Sequence, residues 1–311
     1  MDKNVSCSRI LKLMGNRFEF TALAGDHESG DRAIDHAVAE VQRIEELLST
    51  YKESSETNLI NRNAGLKPVK VSEEMIQLIQ RSLKISGLTQ GAFDITYGSI
   101  DANLWNFDVS MTSLPDRETA LKSVDLINYN NVLVDTATSE VMLKNRGMRI
   151  GFGGIGKGYA ADRAKHILLS AGIESGIVNA AGDLITWGSQ LDGQPWTIGI
   201  ADPDQRTQSF SALNISDTAI ATSGNYEKFA IINGQRYSHT IDPKTGLPVS
   251  GIKSVSIICK SAELADALAT PVIVMGVKVG LDLINQLQQI ACVIVDDADK
   301  IYTSNNINIK Y

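Results

Sequence analysis

The chain has 311 residues, 43% of them hydrophobic and 21% charged, and its formal net charge is −7. A chain of this length and make-up builds a globular core, which excludes disordered, collagenous and coiled-coil states. The acidic balance opposes nucleic-acid binding, so an anionic ligand needs local positive groups or a metal ion.

In chain order, Arg17–Ala24 alternates Phe18, Phe20 and Ala22 with Glu19 and Thr21, the pattern of a half-buried strand. Residues 32–48 place Ile34, Ala37, Val41, Ile44 and Leu48 at helical spacing, with Asp31 as the candidate cap. A loop and a short extended piece over 59–71 lead to a second amphipathic helix over 73–85. It starts after Ser72 and carries Glu73 and Glu74 at its positive end. Strands joined by a turn at 136–139 are expected over 131–150. A glycine-dense run, 151–158, precedes a helix over 159–171 that Gly172 stops. Further strands are expected at 176–180, 196–201, 219–223, 229–232 and 253–259. Residues 263–288 follow a helical pattern broken by Pro271 and Gly276, and a hairpin of 290–295 with 300–303 closes the chain. No uninterrupted apolar run reaches about 18 residues, so no membrane span is expected. Many strands in irregular order, with few βαβ units, predict an α+β fold rather than a doubly wound sheet.

Several segments carry candidate chemistry. Residues 151–158 read Gly-Phe-Gly-Gly-Ile-Gly-Lys-Gly, which suits backbone N–H groups approaching a phosphate at a helix start. A P-loop needs Ser or Thr after its lysine, whereas Gly158 has no hydroxyl. A dinucleotide site wants an acid ending the next strand, and none stands there. A phosphate-facing turn and a purely structural turn both stay open. Asp266 and Thr270 lie one helical turn apart on one face, an oxygen pair suited to a hard cation. Alternatively, Asp266 bonds a neighbouring loop and Thr270 its own helix backbone. His239 sits where a strand meets a Pro/Gly turn, either as a general base or as a structural residue. His27, His36 and His166 are expected at the surface. Residues 91–96 and 105–107 offer aromatic and acidic groups to a planar ring, or else to the core. Residues 221–226 line a ligand cavity or form a polar loop.

Taken together and in this order, these segments resemble one family, the ApbE-type FAD:protein FMN transferases. The resemblance runs from Met14-Gly15 through Leu48-Ser-Thr-Tyr51 and Asn61 to Gly91-Ala-Phe-Asp-Ile-Thr96 with Trp105. It continues through Gly153-Gly-Ile-Gly-Lys-Gly-Tyr159 with Asp162, Asn179 with Gly182-Asp183, and Ala221-Thr-Ser-Gly224 with Tyr226-Glu227. It ends with Ser238–Gly246, Ala265-Asp-Ala-Leu-Ala-Thr270 and Val274-Met-Gly276. The resemblance implies an α+β architecture of two interlocked subdomains, with mixed or antiparallel sheets and flanking helices, in one domain spanning residues 1–311. It implies an enzyme that moves FMN from FAD to a threonine hydroxyl of a target flavoprotein, releases AMP and requires Mg²⁺. Carried over residue by residue, it implies metal ligation by Asp266, Thr270 and the backbone carbonyl of Gly156. His239 matches the general base. FAD contacts are implied at Met14, Tyr51, Ala92, Phe93, Asp94, Gly153, Tyr159 and Thr240. FAD and an acceptor flavoprotein are the expected partners. Two other outcomes stay open: an FAD pyrophosphatase using water at the same site, and an FAD-binding protein without turnover.

The chain also departs from the family pattern. Gly151 stands where Asp is usual, Gly156 where Ala is usual, Asn16 where Thr is common and Ala181 where Gly is common. Pro271 directly follows Thr270, which predicts a kink there. Members of the family are mostly exported, often as lipoproteins. Residues 1–16 contain no apolar leader, and Cys7 is not in a lipobox. A cytoplasmic location is therefore expected, with a periplasmic or membrane-anchored form as the alternative. Cys7, Cys259 and Cys292 fit neither a disulfide framework nor a CxxC metal site and suit a reducing compartment.

Overall fold

The computed structural model describes residues 4–100, 113–201, 209–224 and 229–307. Trp105 and the Tyr226-Glu227 pair lie outside the described residues. The chain starts with a hairpin: β1 (Val5–Leu13) pairs antiparallel with β2 (Asn16–Ala24), from Val5 opposite Ala24 to Leu13 opposite Asn16. Met14 and Gly15 join them with φ of 50° and 73°, as a primed two-residue turn requires. Strand β1 escapes the sequence pattern because it is an edge strand, with Ile10 56% exposed and only Cys7 and Leu13 buried.

Helix α1 (His27–Leu48) begins ahead of its expected start, because Asp26 rather than Asp31 caps it and accepts from the Ser29 N–H at 2.7 Å. Asp31 instead pairs with Arg9 of β1. A short helix α2 (Glu56–Arg62), capped by Ser55, begins ahead of the expected 59–71 loop and takes up its first residues. Strand β3 (Val69–Lys70) and helix α3 (Glu73–Leu88), capped by Ser72, follow as expected. Helix α4 (Arg117–Lys122) precedes β4 (Val132–Asp135) and β5 (Glu140–Leu143), which form a small antiparallel sheet in the order β3-β5-β4.

Helix α5 (Gly156–Ser170) leads into β6 (Ser175–Ala180) and β7 (Asp183–Trp187). A separate hairpin, β8 (Trp196–Ala201) with β9 (Ser209–Ile215), precedes β10 (Ala219–Gly224). A second one, β11 (Phe229–Ile232) with β12 (Gln235–Ser238), precedes β13 (Ile252–Cys259). Helix α6 (Ala262–Gln286) and the hairpin β14 (Ala291–Asp296) and β15 (Ile301–Thr303) complete the fold. One eight-stranded antiparallel sheet in the order β1-β2-β6-β7-β10-β13-β14-β15 organises the molecule. The α+β class expected from the sequence holds.

Helices α1, α5 and α6 lie on this sheet, and Phe18, Phe20, Ile34, Ile44 and Trp187 are fully or almost fully buried in the resulting core. Helix α6 is long and apolar enough to cross a membrane by length and composition, but it packs on β10, β13 and α5 as a core helix does. Its non-helical residue is Gly276, with φ 79° and ψ 169°, so the kink expected at Pro271 falls further along.

Helices α5 and α6 cap each other. Asp162 of α5 accepts from the N–H groups of Ala262 and Glu263 and from the Ser261 hydroxyl at the start of α6. Asp266 of α6 accepts from the Gly158 N–H in the first turn of α5 at 3.1 Å. The two backbones approach so closely that a Cβ on Gly158 would lie 2.1 Å from the Ala262 carbonyl oxygen. That contact, rather than phosphate chemistry, explains why no Ser or Thr follows Lys157.

Candidate functional site

Six separate stretches converge on one cavity of about 670 Å³. That volume lies in the range of about 300–1,000 Å³ typical of small-molecule sites. The β1–β2 turn contributes Met14 and Gly15, and the end of α1 with its following loop contributes Leu48 to Lys52. The 92–98 segment, the glycine turn at 151–154 and the loop from His239 to Pro243 add further walls, and Thr270 and Val274 of α6 face the same space. The lining is mostly apolar.

Backbone bonds fix these walls to one another. The strained Met14 donates its N–H to the Glu45 carboxylate at 2.9 Å. Asn61 clamps the residue before the glycine turn at both ends: its Oδ1 accepts from Ile150 N at 2.7 Å and its Nδ2 donates to Ile150 O at 3.0 Å. The Gly151 N–H donates to the Ile95 carbonyl at 2.8 Å, tying the turn to the 92–98 segment. A Cβ on Gly151 would meet only the Thr50 methyl, at 3.5 Å, so the missing carboxylate leaves the turn's geometry intact.

His239 rides on a short hairpin. The Ser238 N–H donates to the Val249 carbonyl, the Val249 N–H donates to the Thr240 carbonyl, Ile241 bridges Pro248, and the Asp242 N–H donates to the Leu247 carbonyl. Gly246 closes it at φ 69°, where a Cβ would lie 1.9 Å from the Ala120 carbonyl oxygen. The Ile241 N–H donates to the Tyr97 phenol oxygen at 3.2 Å, which joins the hairpin to the opposite wall. Burial raises the Tyr97 phenol above its ordinary value, so it stays protonated and keeps a hydroxyl proton to donate.

Behind the glycine turn, three buried charges meet. The Lys157 ammonium contacts Asp183 closely and lies 3.4 Å from Asp266 Oδ1. Burial acts to lower the Lys157 ammonium, but Asp266 and Asp183 outweigh it and hold it well above the ordinary lysine range. Burial, with Asp266 alongside, pushes the Asp183 carboxyl up despite its bond to Lys157. Two carboxyl groups share one ammonium here. That balance and the all-oxygen donor set of Asp266, the Thr270 hydroxyl and the Gly156 carbonyl fit a hard divalent cation. Among the described residues no three His, Cys, Asp or Glu side chains converge as a metal cluster, so a cation here draws on hydroxyl and carbonyl oxygens. Thr270 Oγ1 lies 3.3 Å from the Ser223 hydroxyl of β10, at the boundary between this cluster and the cavity.

The structure therefore gathers Met14, Tyr51, Ala92, Phe93, Asp94, Gly153, His239, Thr240 and Thr270 around one cavity. Tyr51 is 94% exposed at its mouth, and the Phe93 ring reaches within 3.5 Å of where a Cβ on Gly154 would be. Gly156, Tyr159 and Asp266 are not among the lining residues. The Tyr159 hydroxyl turns away to Glu74, under the Arg81 guanidinium at 5.7 Å from its ring centre. Asp94 spends its oxygens on the Thr96 N–H and hydroxyl and on the Tyr129 N–H. His36 and His166 are exposed, and exposed His27 lies 3.5 Å from the Cys7 sulfur. Tyr97 and Glu45 have no sequence signal, because their roles are contacts across long chain separations. Asp183 and Lys157 are visible in the sequence only as parts of glycine-bearing motifs.

A sequence model of the ApbE family matches residues 14–294. The chain is 32% identical over 275 residues to an FAD:protein FMN transferase of Vibrio cholerae, covering 86% of this chain and 80% of that one. A Klebsiella pneumoniae protein of the same name is 30% identical over 286 residues, covering 91% and 88%. The crystal structure of the ApbE protein of Thermotoga maritima superposes with a TM-score of 0.86 at 31% identity, over 97% of both chains. The flavin transferase ApbE of Vibrio cholerae superposes with a TM-score of 0.81 at 28% identity, over 97% of this chain and 98% of that one.

Proposed function

The chain belongs to the ApbE family, and from that premise we propose that it is a flavin transferase, moving FMN from FAD to a protein acceptor with release of AMP. The observation that carries this reading is the single cavity on which the β1–β2 turn, the glycine turn, the His239 hairpin and Thr270 all converge. FAD fills its apolar part, with Met14, Tyr51 and Phe93 against the ring systems and the glycine turn beside the pyrophosphate. The positive end of α5 begins at that turn with no side-chain cap of its own.

The acceptor is a threonine hydroxyl that reaches the exposed edge of the cavity where His239 stands. His239 takes the hydroxyl proton as the oxygen bonds to the FMN phosphorus. The phosphorus–oxygen bond to the AMP portion breaks, and AMP leaves with its phosphate. Asp266, Thr270 and the Gly156 carbonyl would hold Mg²⁺, which supplies neutralisation of pyrophosphate charge when bound. The hairpin bonds from Ser238 to Val249 and the tie to Tyr97 keep the histidine at the cavity edge while the acceptor approaches.

The test is a product assay with FAD and Mg²⁺, with and without a threonine-containing acceptor domain. Transfer yields AMP together with an FMN-sized mass gain on the acceptor. AMP with free FMN and an unmodified acceptor would make the protein a pyrophosphatase, and no AMP under either condition would make it a binding protein. Replacing His239 with Ala should lower the transfer rate about 10²–10⁴-fold, the usual contribution of a general base, while FAD binding persists.

A further inference from the structure

We propose that Lys157 is an internal counter-cation that stands in for the divalent ion between Asp183 and Asp266, and that Asp183 is the residue that draws it off Asp266 when the metal binds. The inference rests on the metal reading given above and concerns two residues outside that ligand set. Lys157 is the first-turn residue of α5 whose ammonium touches both carboxylates at once. The carboxylate side chains are only 5% and 4% exposed, so neither charge is compensated by solvent. A buried carboxylate without a partner is costly. Lys157 is the cation that meets that cost.

The contact is unequal. Lys157 sits closely on Asp183, whereas Asp266 Oδ1 is 3.4 Å away. The other Asp266 oxygen is held by the Gly158 N–H. Asp266 is thus fixed in place by its helix cap, with its Oδ1 only loosely occupied. Asp183 lies on β7 and is the closer partner, the anchor to which Lys157 can withdraw. The arrangement keeps Asp266 oriented before a cation arrives, and it sets how strongly the ammonium competes with that cation. Asp183 and Lys157 are positioning residues in this scheme: they act on the affinity and order of the site through Asp266.

The experiment measures Mg²⁺ binding by calorimetry and thermal unfolding with and without Mg²⁺, in the full chain. Asp183→Asn removes the anchor, so Lys157 leans wholly on Asp266 and Mg²⁺ affinity should fall at least tenfold. Asp183→Glu should restore most of it. Lys157→Met removes the competitor: the metal-free protein should melt lower, Mg²⁺ should raise its melting temperature more than in the unmodified chain, and Mg²⁺ affinity should be equal or higher. Lys157→Met added to Asp183→Asn should recover the affinity lost by Asp183→Asn alone, an outcome that a merely structural role for Asp183 would not give. The inference is overturned if Asp183→Asn leaves Mg²⁺ affinity unchanged while the unmodified chain binds Mg²⁺. It is equally overturned if folded Lys157→Met protein loses Mg²⁺ binding. If the unmodified chain binds no Mg²⁺, the metal reading itself fails and takes this inference with it.

Discussion

Ala181 has a φ of 56°, a left-handed conformation that costs an L-residue roughly 1–2 kcal/mol over glycine. It sits in the turn between β6 and β7, immediately before Gly182 at φ 100°, and that turn delivers Asp183 to the charged cluster. Replacing Ala181 with Gly should therefore raise stability by up to about 1 kcal/mol, partly offset by the greater freedom of glycine in the unfolded chain. A chemical denaturation midpoint that falls instead would show that the turn is not strained. The opposite case is Gly158, where Ala would press its methyl into the Ala262 carbonyl and should cost about 1–3 kcal/mol. Individual residues also mark how far sequence reading reaches. His239, Thr270 and Met14 carry chemistry or turn geometry that their neighbours in the chain announce, and they reach the cavity. Tyr159 and Asp94 carry the same kind of signal. Yet Tyr159 turns to Glu74, and Asp94, though it lines the cavity, is saturated by the nearby Thr96 and by Tyr129; neither Glu74 nor Tyr129 is a partner that a local pattern reveals.

Elements with an apolar stripe or an apolar run bounded by turn residues were legible: α1, α3, α5, β2, β13 and the closing hairpin lie close to where the sequence puts them. Those missed each have a physical cause. Strand β7 follows β6 directly through the Ala181–Gly182 turn, with no polar loop to mark its start. Strands β9 and β12 belong to small two-stranded hairpins outside the main sheet, where no third strand pairs with them. The short α2 is set by its Ser55 cap more than by a stripe. None of these reveals how the cavity closes, because its walls are joined by cross-element bonds. The Tyr97 phenol accepting from Ile241 N is the plainest of them. Tyr97→Phe keeps the ring and removes the acceptor, stranding a buried N–H at a cost of about 1–3 kcal/mol. Transfer should slow through kcat, with little change in KM for FAD, because the ring wall survives while the His239 hairpin loosens. A variant with unchanged kcat would mean that the hairpin holds itself.

At the scale of the whole molecule, a network of charges on the outer faces of the helices ties α1, α3, α5 and α6 together. Arg43 of α1 binds both oxygens of Glu40 and both of Glu74 on α3, at 2.7–2.9 Å. Arg163 of α5 joins Glu40 at 3.0 Å, Tyr159 of α5 donates to Glu74, and Arg81 of α3 holds Glu263 of α6 at 2.6 and 3.0 Å. The Arg43 hydrogen bonds hold both Glu40 and Glu74 below the ordinary glutamate value, against the opposing effect of burial. A carboxylate whose folded value is depressed binds fewer protons folded than unfolded. Its contribution is therefore complete above the unfolded value of about 4.3 and is lost as pH falls through the depressed folded value. Both carboxylates are partly solvated, so each contributes a few tenths to about 1 kcal/mol. Arg43→Gln should lower stability by about 1 kcal/mol near pH 6, where both glutamates are ionised in either state. The gap between the two proteins should close as pH falls towards about 3, because protonation removes in the unmodified chain what the substitution has already removed. Denaturant unfolding of both proteins across that range measures the gap, and a gap that stays constant with pH would assign the role of Arg43 to packing of its alkyl stem rather than to charge.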